Sequence, residues 1–462
     1  MEKYVRILLV QPFNRSYVIM PSLGLGYLAA VAACEGHDVT VVNCIKERMD
    51  QTGFAEYLQA NRFDVIGFQV FSYDLNAVCK MLEVVRLVQP EAVTVAGGPH
   101  PSGDPYGVLD RLAGLDYAFK GEAETGFVRW LRFLAEGGVL AEVPGLIYRD
   151  ESGMVTVNDP LLVDDLDSLP MPAWDILKPE EYPEAPHGAF TRNFPTAPII
   201  MTRGCPCLCT FCAGESITGR RVRRRSIANV MAELHALFQR GIREIHIEDE
   251  NFTLSKQYVI EFCDALRQSG LTLSWSLPSG VRIDTLDAEL LDRMEEAGCY
   301  SLALGVEFGT DRLMGLTRKG LSVGKVRQKL ELFRGRKIKT TGFFLFGIPG
   351  ESLADMRETM NFALELPLDR AQFNNFMPLP GSSLWEELDR KGKLGRVAWD
   401  RMFVHDVAYC DEDIDPREIK VLQRRAYLRF YLRPRIIFSL VREIRSPAHL
   451  KFLLKRFVDA LT

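Results

Sequence analysis

A chain of 462 residues, 47% apolar and 25% charged, has the composition of a folded globular protein and length for about three domains, which excludes a disulfide-stapled miniprotein and a disordered or fibrous chain. Its 56 basic and 61 acidic side chains leave a net charge of −5, which argues against a whole-molecule electrostatic grip on nucleic acid. Residues 1–6 lead directly into a strand-length apolar run with no small-residue cleavage site, and no apolar run approaches the roughly 18 residues of a membrane span, so a cytoplasmic, reducing home is expected.

From the N-terminus, apolar runs at 6–11, 37–42, 64–70, 93–98 and 117–121 alternate with stretches of helical length such as 23–33. Near-continuous apolar strands separated by helices predict a parallel sheet covered on both faces, a doubly wound α/β domain over 1–145. Such domains bind ligands beyond the carboxyl ends of their strands. There Gly97 and Gly98 permit close approach to a flat ligand, and His100 lies beside them. Prolines recur from Pro144 to Pro195, and 146–195 reads as a proline-rich linker with a small hairpin.

A second alternation follows, with strands at 198–202, 244–248, 273–277, 301–306, 341–346 and 372–376. Six repeats predict a partial (β/α)6 barrel over 196–390, with its chemistry on the loops after the strands. Residues 391–462 read as a helical, basic C-terminal region.

Four of the ten cysteines crowd into Cys205-Pro-Cys207-Leu-Cys209-Thr-Phe-Cys212, after the first barrel strand. Cys205, Cys209 and Cys212 are spaced C-x3-C-x2-C, and thiolates so spaced on one loop can converge on one metal centre, Cys being the usual ligand of iron-sulfur clusters. The competing reading is a structural zinc site using all four. Cys207 reads as a non-ligand, and C-x-C-x-C-x2-C is not a standard zinc pattern.

The spacing, its place after the first barrel strand and the aromatic Phe211 before the last Cys resemble the radical S-adenosylmethionine superfamily. Segments 21–28, 96–100 and 121–124 (Gly-Glu-Ala-Glu) resemble the cobalamin (B12)-binding domain that precedes the barrel in one subgroup. The resemblance implies a [4Fe-4S] cluster on Cys205, Cys209 and Cys212. Its open iron takes S-adenosylmethionine, and one-electron cleavage gives a 5'-deoxyadenosyl radical that abstracts hydrogen from an unactivated carbon. It also implies cofactor contacts at the strand ends. The acidic run Glu248, Asp249 and Glu250 meets the ammonium of S-adenosylmethionine, and Ser279 or Arg282 meets its ribose or carboxylate. Glu307 is a polar ligand, and Gly347 belongs to a strand packed on adenine.

Two enzymatic readings and one bland reading remain. The first is a radical enzyme with cobalamin-dependent methyl transfer. The second is a cobalamin-free diol dehydratase acting on an aminoglycoside-type sugar, with Glu248, Glu250 or Glu307 moving protons. Bulky residues 68–71 at a strand end would then crowd a corrin. The third is a non-enzymatic metal-binding interaction module. Cobalamin is thus possible, with Gly97, Gly98 and His100 as its contacts. The partners expected are a small biosynthetic substrate (secondary metabolite, sugar or lipid) and a one-electron donor such as flavodoxin or ferredoxin, with no nucleic acid. Membrane contact is open only through the basic C-terminal helices.

Overall fold

The computed structural model describes residues 4–14, 19–184, 191–444 and 446–461. The chain divides into two compact units, Met1–Pro206 with Cys212–Ile245 and Leu379–Glu386, and Cys207–Phe211 with His246–Pro378 and Glu387–Thr462.

In the first unit, β1 (Arg6–Gln11), β2 (Asp38–Asn43), β3 (Val65–Gln69), β4 (Val93–Gly97), β5 (Tyr117–Phe119), β6 (Leu146–Arg149) and β7 (Val155–Val157) form one sheet in the order β2-β1-β3-β4-β5-β6-β7. The pairs from β2 through β5 are parallel, as the apolar runs predict. The strand order reverses between β1 and β3, the switch point at which doubly wound sheets open a crevice for ligands. The helix Leu23–Cys34 is capped by Ser22, whose hydroxyl accepts the Leu25 N–H. Its small residues Ala29 and Ala32 join a core of Phe119, Phe127, Trp130 and Leu131.

The hairpin expected in the linker is present, but it is not separate from the first domain. β6 pairs antiparallel with β5 and β7 with β6, so the sheet runs on to Val157. The reason is physical: β5 has only three residues and would otherwise leave a bare edge.

Still in the first unit lie β8 (Thr196–Ile199) and a ribbon of β9 (Thr202–Arg203) with β10 (Arg223–Arg224), antiparallel, Arg203 opposite Arg223. The ribbon closes the base of the cysteine loop. β11 (Glu244–Ile247) follows. In the second unit β12 (Ser274–Val281), β13 (Cys299–Glu307), β14 (Lys339–Phe346) and β15 (Arg370–Asn375) pair in parallel, in chain order. β8 and β11 to β15 are the six strands of the expected repeat, alternating with helices. β12, β13 and β14 each extend beyond the runs seen in the sequence: β12 and β14 through ends that bear polar residues or glycine and lack the apolar signal, β13 through Cys299 and Tyr300 at its start and Glu307 at its end.

The C-terminal region is helical, as expected: Pro416–Tyr431, Pro434–Glu443 and Pro447–Leu461. The prolines of the first two stand at the first helical turn, where a missing N–H costs nothing. Helix Pro416–Tyr431 seals the β15 edge with side chains. Tyr427 Oη accepts the Phe373 N–H at 3.2 Å, Gln423 Nε2 donates to the Phe373 carbonyl at 2.7 Å, and Tyr431 Oη donates to the Ala371 carbonyl at 2.8 Å.

Candidate functional site

The cysteine loop is anchored in the first unit by a buried ionic cluster. Arg223 grips Glu122 with two bonds of 2.7 Å. Arg203 reaches Glu124 at 2.7 Å and Glu122 at 3.4 Å, and its guanidinium lies 5.0 Å from the centre of the Tyr27 ring. Burial works against the charge of Arg203, but Glu124 and Glu122 more than offset it and hold the group protonated. Two arginines directly opposite on a ribbon repel; Glu122 shared between them turns that repulsion into a clamp. Gly204, next in the chain, has φ +97°, and a Cβ there would stand 2.3 Å from the Arg221 carbonyl oxygen. Only glycine can make that turn into the loop. Cys205 N–H then donates to the Gly219 carbonyl at 3.2 Å, and Gly214 N–H to Cys212 Sγ at 3.4 Å.

Cys209 belongs to the segment Cys207–Phe211 of the second unit. Thr210 N–H donates to the Thr317 carbonyl at 3.0 Å. Phe211 packs edge-on against Phe308, with centroids 6.4 Å apart, and Lys319 Nζ lies 5.8 Å from the Phe211 centroid. Lys319, buried, pairs with Glu307 at 2.9 Å. Arg282 donates to the Lys319 carbonyl at 2.6 Å and to Asp284 at 3.1 and 2.9 Å. Burial disfavours both cations, yet Glu307 and Cys209 keep Lys319 protonated, and Asp284, Cys207 and Cys209 do the same for Arg282. A cavity of about 700 Å³ opens beside them, lined by Cys207, Leu208, Arg282, Met314, Arg318 and Lys319.

The remaining strand-end residues fall into place singly. Glu248, half-buried, accepts the Ser279 hydroxyl; Asp249 is buried and Glu250 exposed. Glu307 ends β13 at a bulge with φ +68°, the kind of strained position that re-aims a side chain at a site. Gly347, also left-handed at φ +83°, donates its N–H to Glu351 at 2.6 Å, and Ile348 donates to the same oxygen at 3.2 Å. Burial pushes the Glu351 carboxyl up to about 8.

In the first unit, Gly97 ends β4 and Gly98 follows it with φ +109°. A Cβ on Gly97 would meet nothing within 4 Å, so the strand end is open on that side. His100 is fully buried, its Nδ1 3.0 Å from Ser72 Oγ, and burial lowers its pKa to about 4. It braces the turn from inside and presents no surface to a ligand. Of residues 68–71, expected to crowd a ligand, Phe68 and Val70 are buried in the domain, while Gln69 and Phe71 are half-buried and Phe71 stacks on Tyr73.

The donor chemistry fits an iron-sulfur cluster. Three thiols sit on one loop, and within the second unit Cys209 favours the charge of Lys319 and, with Cys207, that of Arg282, the sign that thiolate ligands bring. Among the described residues no group of three or more His, Cys, Asp or Glu side chains is gathered as a metal-ion site; the thiols count as donors through their shared loop. Lys319, Glu351 and the arginine partners of Glu122 and Glu124 were not among the expected site residues.

Residues 199–363 match the model of the Radical SAM superfamily and residues 13–131 that of the B12 binding domain. Cytidylyl-2-hydroxyethylphosphonate methyltransferase of Streptomyces wedmorensis is 30% identical over 80% of this chain and 78% of its own. An uncharacterized methyltransferase of Pyrococcus horikoshii is 28% identical over 99% of this chain and 98% of its own. The structure of the radical S-adenosylmethionine methyltransferase TsrM from Kitasatospora setae superposes with a TM-score of 0.69 at 21% identity, over 84% of this chain and 78% of that one. With both family models matched and a relative 30% identical over 80% of this chain and 78% of its own, the chain belongs to the radical S-adenosylmethionine superfamily, in the group with an N-terminal B12-binding domain.

Proposed function

We propose that this enzyme is a cobalamin-dependent radical methyltransferase that modifies an unactivated carbon of a small biosynthetic substrate. The observation that carries this reading is the open end of β4: Gly97 has no neighbour within 4 Å of a Cβ position, while Phe68 and Val70 turn inward. Two of the four bulky residues at 68–71 are thus out of a corrin's way, and Gln69 and Phe71 stay half-buried. Of the three acids that the dehydratase reading names, Glu307 pairs with Lys319, Glu248 accepts from Ser279 and Glu250 is exposed, so neither Glu307 nor Glu248 supports that reading. The working domain division is 1–157, a connecting stretch to 195, 196–390 and 391–462.

When bound, the cluster and S-adenosylmethionine supply a 5'-deoxyadenosyl radical, and cobalamin supplies the methyl group. Cys205, Cys209 and Cys212 hold the cluster, and Lys319 and Arg282 balance its charge. Glu248 and Asp249 orient the ammonium of S-adenosylmethionine, with Ser279 fixing the Glu248 carboxylate. Glu307 holds Lys319 beside Phe211. Gly347 offers backbone to adenine, its loop pinned by Glu351. Electrons come from a flavodoxin- or ferredoxin-type donor. His100 keeps the Gly97-Gly98 turn in shape.

Anaerobic reconstitution with iron, sulfide and hydroxocobalamin, followed by desalting, tests the reading. The wild type is expected to retain corrin absorption. Gly97→Leu is expected to lose it while keeping the iron-sulfur spectrum. Wild type that emerges free of corrin refutes methyl transfer.

A further inference from the structure

We propose that the outer face of the three C-terminal helices docks on an anionic membrane surface. These helices bury one face: Ile419, Leu422, Tyr427 and Phe430 of the first and Ile436 of the second lie in the core. The opposite face is also apolar. Ile437, Phe438 and Val441 on Pro434–Glu443, and Leu450, Leu454 and Val458 on Pro447–Leu461, are each between 40% and 59% exposed. Both sets recur at three- to four-residue spacing, which makes one stripe along each helix. Exposed apolar stripes of this kind mark an interaction site.

Charge identifies the occupant. Residues 416–462 hold twelve Lys and Arg against three Asp and Glu, a balance of +9 in a chain of net charge −5, so the rest carries −14. The basic groups flank the stripe: Arg442, Lys451 and Lys455 are exposed, and Arg442 lies 4.1 Å over the Phe438 ring. A second copy of this face would set Arg442, Lys451 and Lys455 against the same three cations. Anionic headgroups attract that charge, and the acyl boundary takes the apolar side chains. Among the described residues no helix is long and apolar enough to cross a membrane, so the helices would lie in the interface plane.

The test is flotation of the full-length protein with vesicles of phosphatidylcholine alone or mixed with phosphatidylglycerol. Wild type is expected to float with the mixed vesicles and to be released by salt. Phe438→Gln combined with Val441→Gln and Leu454→Gln is expected to weaken binding by about tenfold or more. Arg442→Gln with Lys451→Gln and Lys455→Gln is expected to do the same, with S-adenosylmethionine cleavage and circular dichroism unchanged in both. Failure to float with anionic vesicles, or equal flotation of wild type and variants, overturns the proposal. So does a wild-type dimer that the apolar variant makes monomeric without any vesicle binding, which would assign the face to self-association.

Discussion

Glu122 and Glu124 show how a single residue can be legible as a motif and illegible as a role. The sequence marks them within a Gly-Glu-Ala-Glu run of the N-terminal domain, at a place associated with cofactor binding. The structure spends them on Arg203 and Arg223, at the neck of the cysteine loop. No spacing rule predicts a partnership across some hundred residues, because it depends on a two-stranded ribbon whose strands have two residues each. Breaking one partner of a buried pair costs about 3–5 kcal/mol, much of it from the charge left behind. Glu122→Gln is therefore expected to lower the melting temperature clearly and to reduce iron retention after reconstitution, read by calorimetry and iron analysis. The thiols themselves divide three to one. Cys205→Ala, Cys209→Ala and Cys212→Ala are each expected to abolish reductive cleavage of S-adenosylmethionine, whereas Cys207→Ala keeps it, as measured by 5'-deoxyadenosine release. His100 was legible only as a polar residue beside a glycine pair; its burial, which decides its role, needs the fold.

Among the elements, the strands announced themselves and their ends did not. Apolar runs located β11 to β15 to within a few residues; β11 and β13 are buried almost throughout, which forces a continuous hydrophobic signal, while β14 alternates buried and half-buried residues. The functional ends, from Pro278 to Val281 and at Glu307, are polar or glycine-bearing and read as loop. The turn after β14 adds a titration of its own. Glu351 accepts two backbone N–H groups there, yet burial raises its pKa from 4.5 to about 8. For an acid raised on folding, the stabilisation is full below its ordinary value and fades as pH rises through the folded one. The melting temperature should fall from about pH 4.5 to about pH 8, and Glu351→Gln should flatten that slope, because the amide keeps an acceptor oxygen without a charge to bury. An unchanged slope would remove Glu351 from the account.

At the scale of the whole molecule, the architecture was the most legible part. Parallel α/β units, a cysteine loop after the first barrel strand and a helical tail follow from periodicity and resemblance, and all three are present. The linker was misjudged where prolines and a short hairpin looked independent, because sequence pattern cannot say that a hairpin will add to the edge of an existing sheet. The uneven charge of the tail was visible in the sequence as an excess of Lys and Arg, but the meaning of that excess depended on which apolar side chains the helices leave outside.

The closure of β15 has a consequence for how the barrel can vary. Main-chain groups at Ala371 and Phe373 are taken by the tips of Tyr427, Gln423 and Tyr431, and a strand edge satisfied in this way offers no template to a further strand. The strand count on that side is thus set by three side-chain atoms. A chain of this family that lost them would have to grow another strand, recruit a neighbour's, or aggregate.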